Sequence, residues 1–284
     1  SCPTMFDYLL RNDDIKKWNV QSLLNAQFVR KIADRIIDAP GDKKAIREFV
    51  SDDLRVFTTL TNLRGFEYGL NFRGGENTHD LYRIHDHRDF ACFSLGEKPV
   101  PGWAKVDFDD PELVELYKLA AIGTGAFPIG LSPVKMKRSG KLMQELEWLS
   151  HVSNGDGMRF EEDWYETTLV DGGMMNNEPF EKVEETLNKL INVQQKSINQ
   201  DYSIARSTIL MIDPFPSKPN FVKTGGNLLG YIKNFLSVLM NQARIKPKHL
   251  KNSLASNMAG QYVISPIRYQ GEKENEIKIR GEKA

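Results

Sequence analysis

Apolar residues recur at helical spacing near the start of the chain. In residues 20–39 they lie four positions apart, with one adjacent pair: Leu23, Leu24, Phe28, Ile32 and Ile36. This spacing places apolar side chains on one face of an amphipathic helix. The sequence "APG" follows, and proline cannot continue a helix. A helix is therefore predicted within residues 20–39.

Two stretches after this helix have the composition of β-strands. "LRVFTTLTN" (54–62) is rich in β-branched and aromatic residues, and "FEYGLNF" (66–72) alternates between apolar and polar positions after Gly65. Because only a few residues separate them, they are predicted to form a hairpin or two neighbouring strands. A further short strand is predicted at "FACFSL" (90–95), within a loop-rich stretch that covers residues 73–110.

The segment "DPELVELYKLAAIG" (110–123) has the boundary signals of a helix. Asp110 can cap its first turn, Pro111 suits the first helical position, and Gly123 can end it. Later segments predict a strand at 167–170, a helix at 179–193, a buried strand at 207–217 and a helix at 227–242. Strands that alternate with helices indicate an α/β fold. We predict a three-layer α/β/α arrangement in which the middle layer is a mostly parallel central sheet.

The predicted α/β domain covers residues 1–265. The remaining residues, 266–284, are rich in charge and are expected to form a mobile or truncated tail. The segment "GNLLGYIKNFLSVLMNQARIKPKHLK" (226–251) is apolar with a basic end. It is interpreted as a core helix, and an interfacial helix at a membrane surface stays open as the alternative.

Composition excludes some classes of function. The chain has 38 Lys and Arg and 38 Asp and Glu, so its net charge gives no reason to expect a nucleic-acid partner. Cys2 and Cys92 fit no metal or disulfide spacing and are expected to be free thiols in a reducing compartment. No stretch has the roughly 18 apolar residues of a membrane span. A cytoplasmic location is expected. Two alternatives stay open: contact with a membrane surface, and a signal peptide in a longer protein of which this chain is a part.

The segment "LVDGGMMNNEPFE" (169–181) places Asp171 at the end of a short buried strand and directly before two glycines. Asn177 and Pro179 are suited to begin the next helix, one as its cap and the other in its first turn. In α/β sheets, functional residues gather where strands end. Asp171 is therefore either part of a structural turn or a candidate catalytic residue.

Two other sequence features raise alternatives. His85 and His87 would share one face of a strand and could bind a metal, although a solvated polar loop is the favoured interpretation. A metal-dependent hydrolase that uses these two histidines is a third hypothesis for the function. "GTGAFPIG" (123–130) lacks the lysine and the residue order of a phosphate-binding loop.

Three segments, taken in order, resemble the patatin-like phospholipases. The first matches the family's Thr-Asn/Asp-Leu-x-x-Gly turn with one residue fewer, through Thr61, Asn62, Leu63 and Gly65. The second, residues 123–128, matches Ala-Ser-x-Ala-x-Pro. The third matches an Asp-Gly-Gly/Ala turn followed by Asn-x-Pro, through Asp171, Gly172, Gly173, Asn177 and Pro179. The resemblance covers about residues 50–215.

This resemblance implies a lipid acyl hydrolase with a Ser-Asp dyad. Asp171 would be the general base, supported by the turn of Gly172 and Gly173 and by the helix start at Asn177 and Pro179. The residues expected to form a wall of the site are Ala126, Phe127 and Pro128. The resemblance implies a lipid or other ester as substrate, and neither a cofactor nor a metal.

The chain departs from the family in one respect that matters for catalysis. The family's nucleophile lies in Gly-x-Ser-x-Gly, and no serine of this chain has glycines two positions before and two positions after it. We therefore expect the nucleophile and the oxyanion loop to lie upstream, with this chain as the C-terminal portion of an acyl hydrolase. The alternative is a non-catalytic binding or scaffold module with the same fold. The oligomeric state stays open.

Overall fold

The computed structural model of the chain describes residues 4–11, 22–38, 50–70, 82–96, 98–146, 149, 162–176 and 179–190, with short pieces at 209–210, 230–231, 234–235 and 238. The chain divides into two compact units. One comprises Ser1–Thr186 and Asp213–Ile245, and the other Leu187–Ile212 and Lys246–Ala284. The sheet and the candidate site lie in the first unit. The predicted boundary at residue 265 and the predicted tail lie outside the described residues.

A five-stranded sheet organises the described part of the first unit. Its strands are β1 (Arg55–Leu70), β2 (Tyr82–Ser94), β3 (Ala104–Lys105), β4 (Val134–Ser139) and β5 (Trp164–Asp171). They lie in the order β3-β2-β1-β5-β4. β1 is antiparallel to both β2 and β5, and β5 is antiparallel to β4. Only β2 and β3 pair in parallel among these strands.

The fold is therefore α/β, as predicted, but the prediction of a mostly parallel sheet in a three-layer arrangement is wrong. β1 and β2 are separated by the eleven residues 71–81. A parallel connection needs a crossover of about a dozen residues or more, usually with a helix, whereas an antiparallel pair needs only a loop. Alternation of strands and helices along a sequence indicates α/β composition, but it does not determine the direction of each strand.

The two predicted strands at 54–62 and 66–72 form one continuous strand, β1, instead of a hairpin. Between them the register with β2 shifts from Thr61 to Phe66, which marks a β-bulge. The side-chain oxygen of Asn62 accepts hydrogen bonds from the N–H groups of Arg64 and Gly65, at 3.0 and 3.1 Å. Gly65 has a φ of 74°, in the left-handed region that favours glycine. These turn residues bend the strand without reversing it.

Five α-helices are described in this unit and at its edge: α1 (Met5–Leu9), α2 (Ala26–Ile37), α3 (Pro111–Thr124), α4 (Gly140–Gln144) and α5 (Phe180–Leu190). α2, α3 and α5 confirm the helices predicted at 20–39, 110–123 and 179–193. Asp110 caps α3 by accepting hydrogen bonds from the N–H groups of Glu112 and Leu113. Gly123 lies inside α3, and Gly125 forms its C-cap.

α3 packs against one face of the sheet. The core cluster on this face contains Leu60, Ala91, Phe93, Ala104, Leu116, Ala120, Met136 and Leu169. A Cβ atom at Gly123 would lie 3.0 Å from Cδ2 of Leu60, so glycine allows the end of α3 to approach β1 closely. A second buried cluster contains Phe66, Met143, Leu146, Leu149 and Tyr165. This packing places the loop after α3 next to the end of β5.

Ion pairs join α2 to α3. Arg30 binds Glu115 through two N–H groups, and Nζ of the buried Lys118 lies 3.0 Å from Asp34 and 2.6 Å from Asp38. The first pair is more than a third exposed on each side, so its contribution to stability is small, about 0–1 kcal/mol. The pair links α2 to α3 through residues that are 85 positions apart in the sequence.

The sequence predicts that the cysteines are free thiols and that no segment is a membrane span. Cys92 is a buried free cysteine, and burial raises the pKa of its thiol to about 12, so it is an unreactive core residue. Cys2 lies outside the described residues. None of the helices that the structure describes is long and apolar enough to cross a membrane.

Candidate functional site

Asp171 is the last residue of β5, and its backbone is held from both sides. Leu60 of β1 is its partner in the antiparallel register. The N–H of Asp171 donates to the carbonyl of Ala126 at 3.0 Å, and the hydroxyl of Thr61 donates to the carbonyl of Asp171 at 2.8 Å. The strand β1, the loop after α3 and the strand β5 therefore meet at this residue.

The carboxylate of Asp171 is half-buried. Burial raises its pKa above the ordinary value of 3.8, and the N–H of Gly173, which donates to Oδ1 at 2.7 Å, opposes that shift. Of the residues that the structure describes, Gly173 is the hydrogen-bond donor to this carboxylate. One oxygen is thus held in a fixed position, and Oδ2 has no described donor. A desolvated carboxylate with one oxygen available is suited to accept a proton.

The two glycines that follow Asp171 begin a short 3-10 helix, Gly172–Met174, and both are buried. A Cβ atom at Gly172 would lie 2.3 Å from the main-chain carbon and oxygen of Thr59. Gly172 does not have a positive φ. Glycine is therefore required here because β1 approaches the turn closely, and the backbone conformation alone would not demand it.

Of the predicted wall residues Ala126, Phe127 and Pro128, only some lie close to Asp171 in the described structure. Ala126 is fully buried, and its carbonyl binds the N–H of Asp171. Phe127 and Pro128 are half-buried and continue the loop away from Ala126. Ile129, next in this loop, has a φ of 72°, an uncommon conformation for a β-branched residue. Of the three predicted wall residues, Ala126 is the one with a direct hydrogen bond to Asp171 in the described structure.

Asn177 and Pro179 were predicted to begin the helix that follows Asp171, and only Pro179 belongs to the described residues. Asn177 lies outside the described residues. Pro179 directly precedes α5, and its carbonyl accepts the N–H of Val183 at 3.1 Å. Pro179 therefore stands at the boundary of the helix, one position before the first turn in which it was predicted.

Sequence reasoning missed the contribution of Thr61 to this site. The sequence singles out Thr61 only as part of the first segment that resembles the family. It is buried, and its hydroxyl holds the carbonyl of Asp171. A signal was present, because Thr61 follows a strand pattern and precedes the Asn-Leu-Arg-Gly turn. However, the contact joins residues 110 positions apart, and nothing in the local sequence specifies that pairing.

His85 and His87 lie on strand β2, so the predicted polar loop is wrong at these positions. Their rings are stacked with centroids 6.4 Å apart. Nε2 of His85 lies 3.7 Å from a carboxylate oxygen of Glu67, and Nδ1 of His87 lies 2.7 Å from the carbonyl of Asn62. Within the described residues, no group of three or more His, Cys, Asp or Glu side chains could hold a metal ion. The metal-dependent alternative gains no support from these contacts.

Comparison with known proteins found a similar protein that is itself uncharacterized. No protein-family model and no solved structure matches the chain. The chain is 28% identical over 286 aligned residues to the uncharacterized protein y4iI of Sinorhizobium fredii. This match covers 88% of the chain and 39% of that protein. The chain thus spans about two-fifths of the length of this relative. The resemblance to patatin-like phospholipases stays a prediction from the sequence motifs.

Proposed function

We propose that this chain carries the general base of a serine acyl hydrolase that acts on lipid carboxylic esters. The observation that supports the proposal is the environment of Asp171. Its carboxylate is half-buried, its pKa is raised by that burial, and its backbone is fixed by Ala126 and Thr61. A base with a raised pKa accepts a proton more readily in the working pH range than an exposed aspartate does.

In this reaction Asp171 accepts the proton of a serine hydroxyl while the serine oxygen attacks the carbonyl carbon of the ester. Collapse of the tetrahedral intermediate breaks the bond to the alcohol, which leaves with the proton from Asp171. Water then attacks the acyl-serine in the same way and releases the carboxylic acid. Oδ1 stays bound to the N–H of Gly173 throughout, so Oδ2 is the atom that carries the proton.

The serine itself is proposed to come from a part of the protein outside residues 1–284. No serine of this chain stands in Gly-x-Ser-x-Gly. The described hydroxyl that approaches Asp171 belongs to Thr61 and binds the main-chain carbonyl. The proposal rests on the site and the three sequence segments, and not on the fold, because the sheet is largely antiparallel.

The test is turnover of a short nitrophenyl ester, and labelling by a fluorophosphonate probe, in the full-length gene product that contains this chain. Asp171→Asn keeps the shape and removes the base. Glu166→Gln, an exposed carboxylate on the same strand, is the matched control. We expect turnover in the wild type and the control and loss of turnover in Asp171→Asn. Retained turnover in Asp171→Asn would remove this residue from the mechanism.

A non-catalytic binding or scaffold module is the second candidate function. The observation that favours it is that no described hydroxyl binds the carboxylate of Asp171. Absence of probe labelling and of turnover in the full-length protein would select this candidate. Labelling of residues 1–284 alone would instead show that a serine within this chain is the nucleophile, contrary to the expectation that it lies upstream.

A further inference from the structure

An open groove lies between α2, α3 and the segment that leads into β4, and its volume is about 220 Å³. Seven of the described residues that line it are apolar, among them Ala26 and Val29 of α2 and Leu119 and Ile122 of α3. All of these lining residues belong to the first unit of the chain. The groove therefore offers an apolar surface that an alkyl chain could cover.

The polar part of the described lining carries positive charge. It consists of Arg30, Ser132 and Lys135, without an aspartate or a glutamate among the described lining residues. Arg30 is paired with Glu115, so its charge is balanced. Nζ of Lys135 lies 4.0 Å from a carboxylate oxygen of Glu166, and these side chains are 76% and 61% exposed. A pair so long and so exposed contributes little, so Lys135 can exchange Glu166 for a bound anion at small cost.

We propose that this groove binds a fatty acid, with the alkyl chain along the apolar residues and the carboxylate at Ser132 and Lys135. The lysine ammonium and the serine hydroxyl can both donate hydrogen bonds to carboxylate oxygens. The two residues are three positions apart in the segment that lines one side of the groove. The alkyl chain gains free energy from leaving water along the apolar lining.

The size and the charge of the groove select this ligand. Sites that enclose drug-sized ligands have volumes of about 300–1,000 Å³. The smaller volume here fits one short alkyl chain better than a lipid with two chains. An alcohol head group would leave the charge of Lys135 without an ionic partner, and a quaternary ammonium head group would be repelled by it.

The groove and the candidate base are formed by different residues. Asp171, Thr61 and Ala126 are not among the described lining residues of the groove. One link between the two is the pairing of Val134, which lines the groove, with Leu169, two residues before Asp171. Binding of a fatty acid therefore goes beyond the proposed hydrolysis, and it does not require Asp171 to be catalytic.

The test is isothermal titration calorimetry of the full-length protein that contains this chain with sodium octanoate, octanol and octyltrimethylammonium. We expect octanoate to bind more tightly than octanol, and the cationic compound to bind more weakly than both. The affinity for the carboxylate should rise about two- to fourfold for each CH₂ group added from hexanoate to octanoate.

Variants assign the binding to the groove. Lys135→Gln should weaken octanoate binding about fivefold and leave octanol binding unchanged, because only the charged head group is affected. Ala26→Phe should abolish binding of both compounds, because the larger side chain occupies the groove. Lys137→Gln removes an exposed lysine of the same strand that does not line the groove, and it should bind as the wild type does. Asp171→Asn should also bind octanoate normally, and circular dichroism checks that each variant is folded.

Four outcomes would overturn the proposal. The first is that the wild type does not bind octanoate, and the second is that it binds octanoate and octyltrimethylammonium equally. The third is an equal loss of octanoate binding in Lys135→Gln and Lys137→Gln. The fourth is unchanged octanoate binding in a folded Ala26→Phe variant, which would place the ligand elsewhere. Since ester turnover is measured separately, failure of the hydrolase proposal leaves each of these results interpretable.

Discussion

The guanidinium of Arg138 binds the carboxylate of Asp89 through two hydrogen bonds of 2.8 and 2.6 Å, and both side chains are buried. Asp89 lies on β2 and Arg138 on β4, and two other strands separate these in the sheet. At about 4.8 Å between neighbouring strands, a flat sheet would hold β2 and β4 about 14 Å apart. The direct contact therefore shows that the sheet curves around this pair.

Each of the two intervening strands adds one side chain to the network around this pair. Asn62 of β1 donates to Asp89 at 3.3 Å, and Thr167 of β5 lies 3.5 Å from Arg138. Asn62 also holds the bulge of β1, one residue after Thr61, which in turn holds Asp171. The buried network is thus part of the framework that places the candidate base.

Breaking the buried pair should destabilise the chain strongly. Arg138→Met leaves the carboxylate of Asp89 buried without its partner, which typically costs about 3–5 kcal/mol in the free energy of unfolding. The double variant Asp89→Leu with Arg138→Met should recover most of that loss, because no buried charge remains. Urea denaturation of the two variants checks this. Equal losses in the single and the double variant would contradict an ion pair that balances two buried charges.

Asp171→Asn should abolish ester hydrolysis by the full-length protein, with a loss of about 10²–10⁴-fold in rate, because an amide cannot accept the serine proton. The stability of the variant should be equal to or higher than that of the wild type at neutral pH. Burial penalises the charged carboxylate, and asparagine can still accept the N–H of Gly173. Turnover and melting temperature, measured on the same samples, check the two parts.

The pH dependence of stability gives a separate check on Asp171. Its pKa in the folded chain is raised above 3.8, so the folded state binds this proton more tightly than the unfolded state. The contribution of this carboxyl group to the free energy of unfolding is at its maximum below about pH 3.8, where the group is protonated in both states. That contribution is lost as the pH rises through the pKa that Asp171 has in the folded chain. The difference in melting temperature between Asp171→Asn and the wild type should therefore grow in favour of the variant across that window. A difference that does not change with pH would contradict the raised pKa.

Gly172→Ala should destabilise the turn after β5. The new Cβ atom would lie 2.3 Å from main-chain atoms of Thr59, so β1 or the turn must move, at a cost of about 1–3 kcal/mol. Gly125→Ala is the control, because its Cβ atom would lie 4.0 Å from the nearest heavy atom and its φ of −110° is allowed for alanine. Thermal unfolding of residues 1–284 compares the two. A melting temperature of Gly172→Ala equal to that of the control would show that the close approach is absent.

Thr61→Val should impair the candidate base without preventing substrate binding. The substitution keeps the shape of the side chain and removes the hydroxyl that donates to the carbonyl of Asp171. A lost hydrogen bond of this kind is worth about 1 kcal/mol, so we expect kcat of the full-length protein to fall about fivefold with KM unchanged. Thr61→Ser retains the hydroxyl and should restore kcat. Failure of serine to restore it would assign Thr61 a packing role only.

Local signals in the sequence predicted α2, α3, α5 and β5 near their observed positions, and they predicted parts of β1 and β2. α3 begins at Pro111 because Asp110 caps it, and both residues act within a few positions of one another. Asp171 was predicted at the end of a strand before a glycine turn, and the structure confirms that placement. The elements α1, α4, β3 and β4 were not predicted. β4, for example, alternates over only six residues, "VKMKRS", and carries three basic side chains.

The tertiary structure decided everything that depends on contacts between distant residues. The direction of β1 relative to β5 follows from their antiparallel register, in which Leu60 lies opposite Asp171, and no local pattern specifies that pairing. The raised pKa of Asp171 follows from burial against neighbouring elements, and the hold on its carbonyl follows from Thr61. The sequence alone determined where a carboxylate stands at a strand end. Only folding, by removing that carboxylate from water and fixing its backbone, could make it a candidate base.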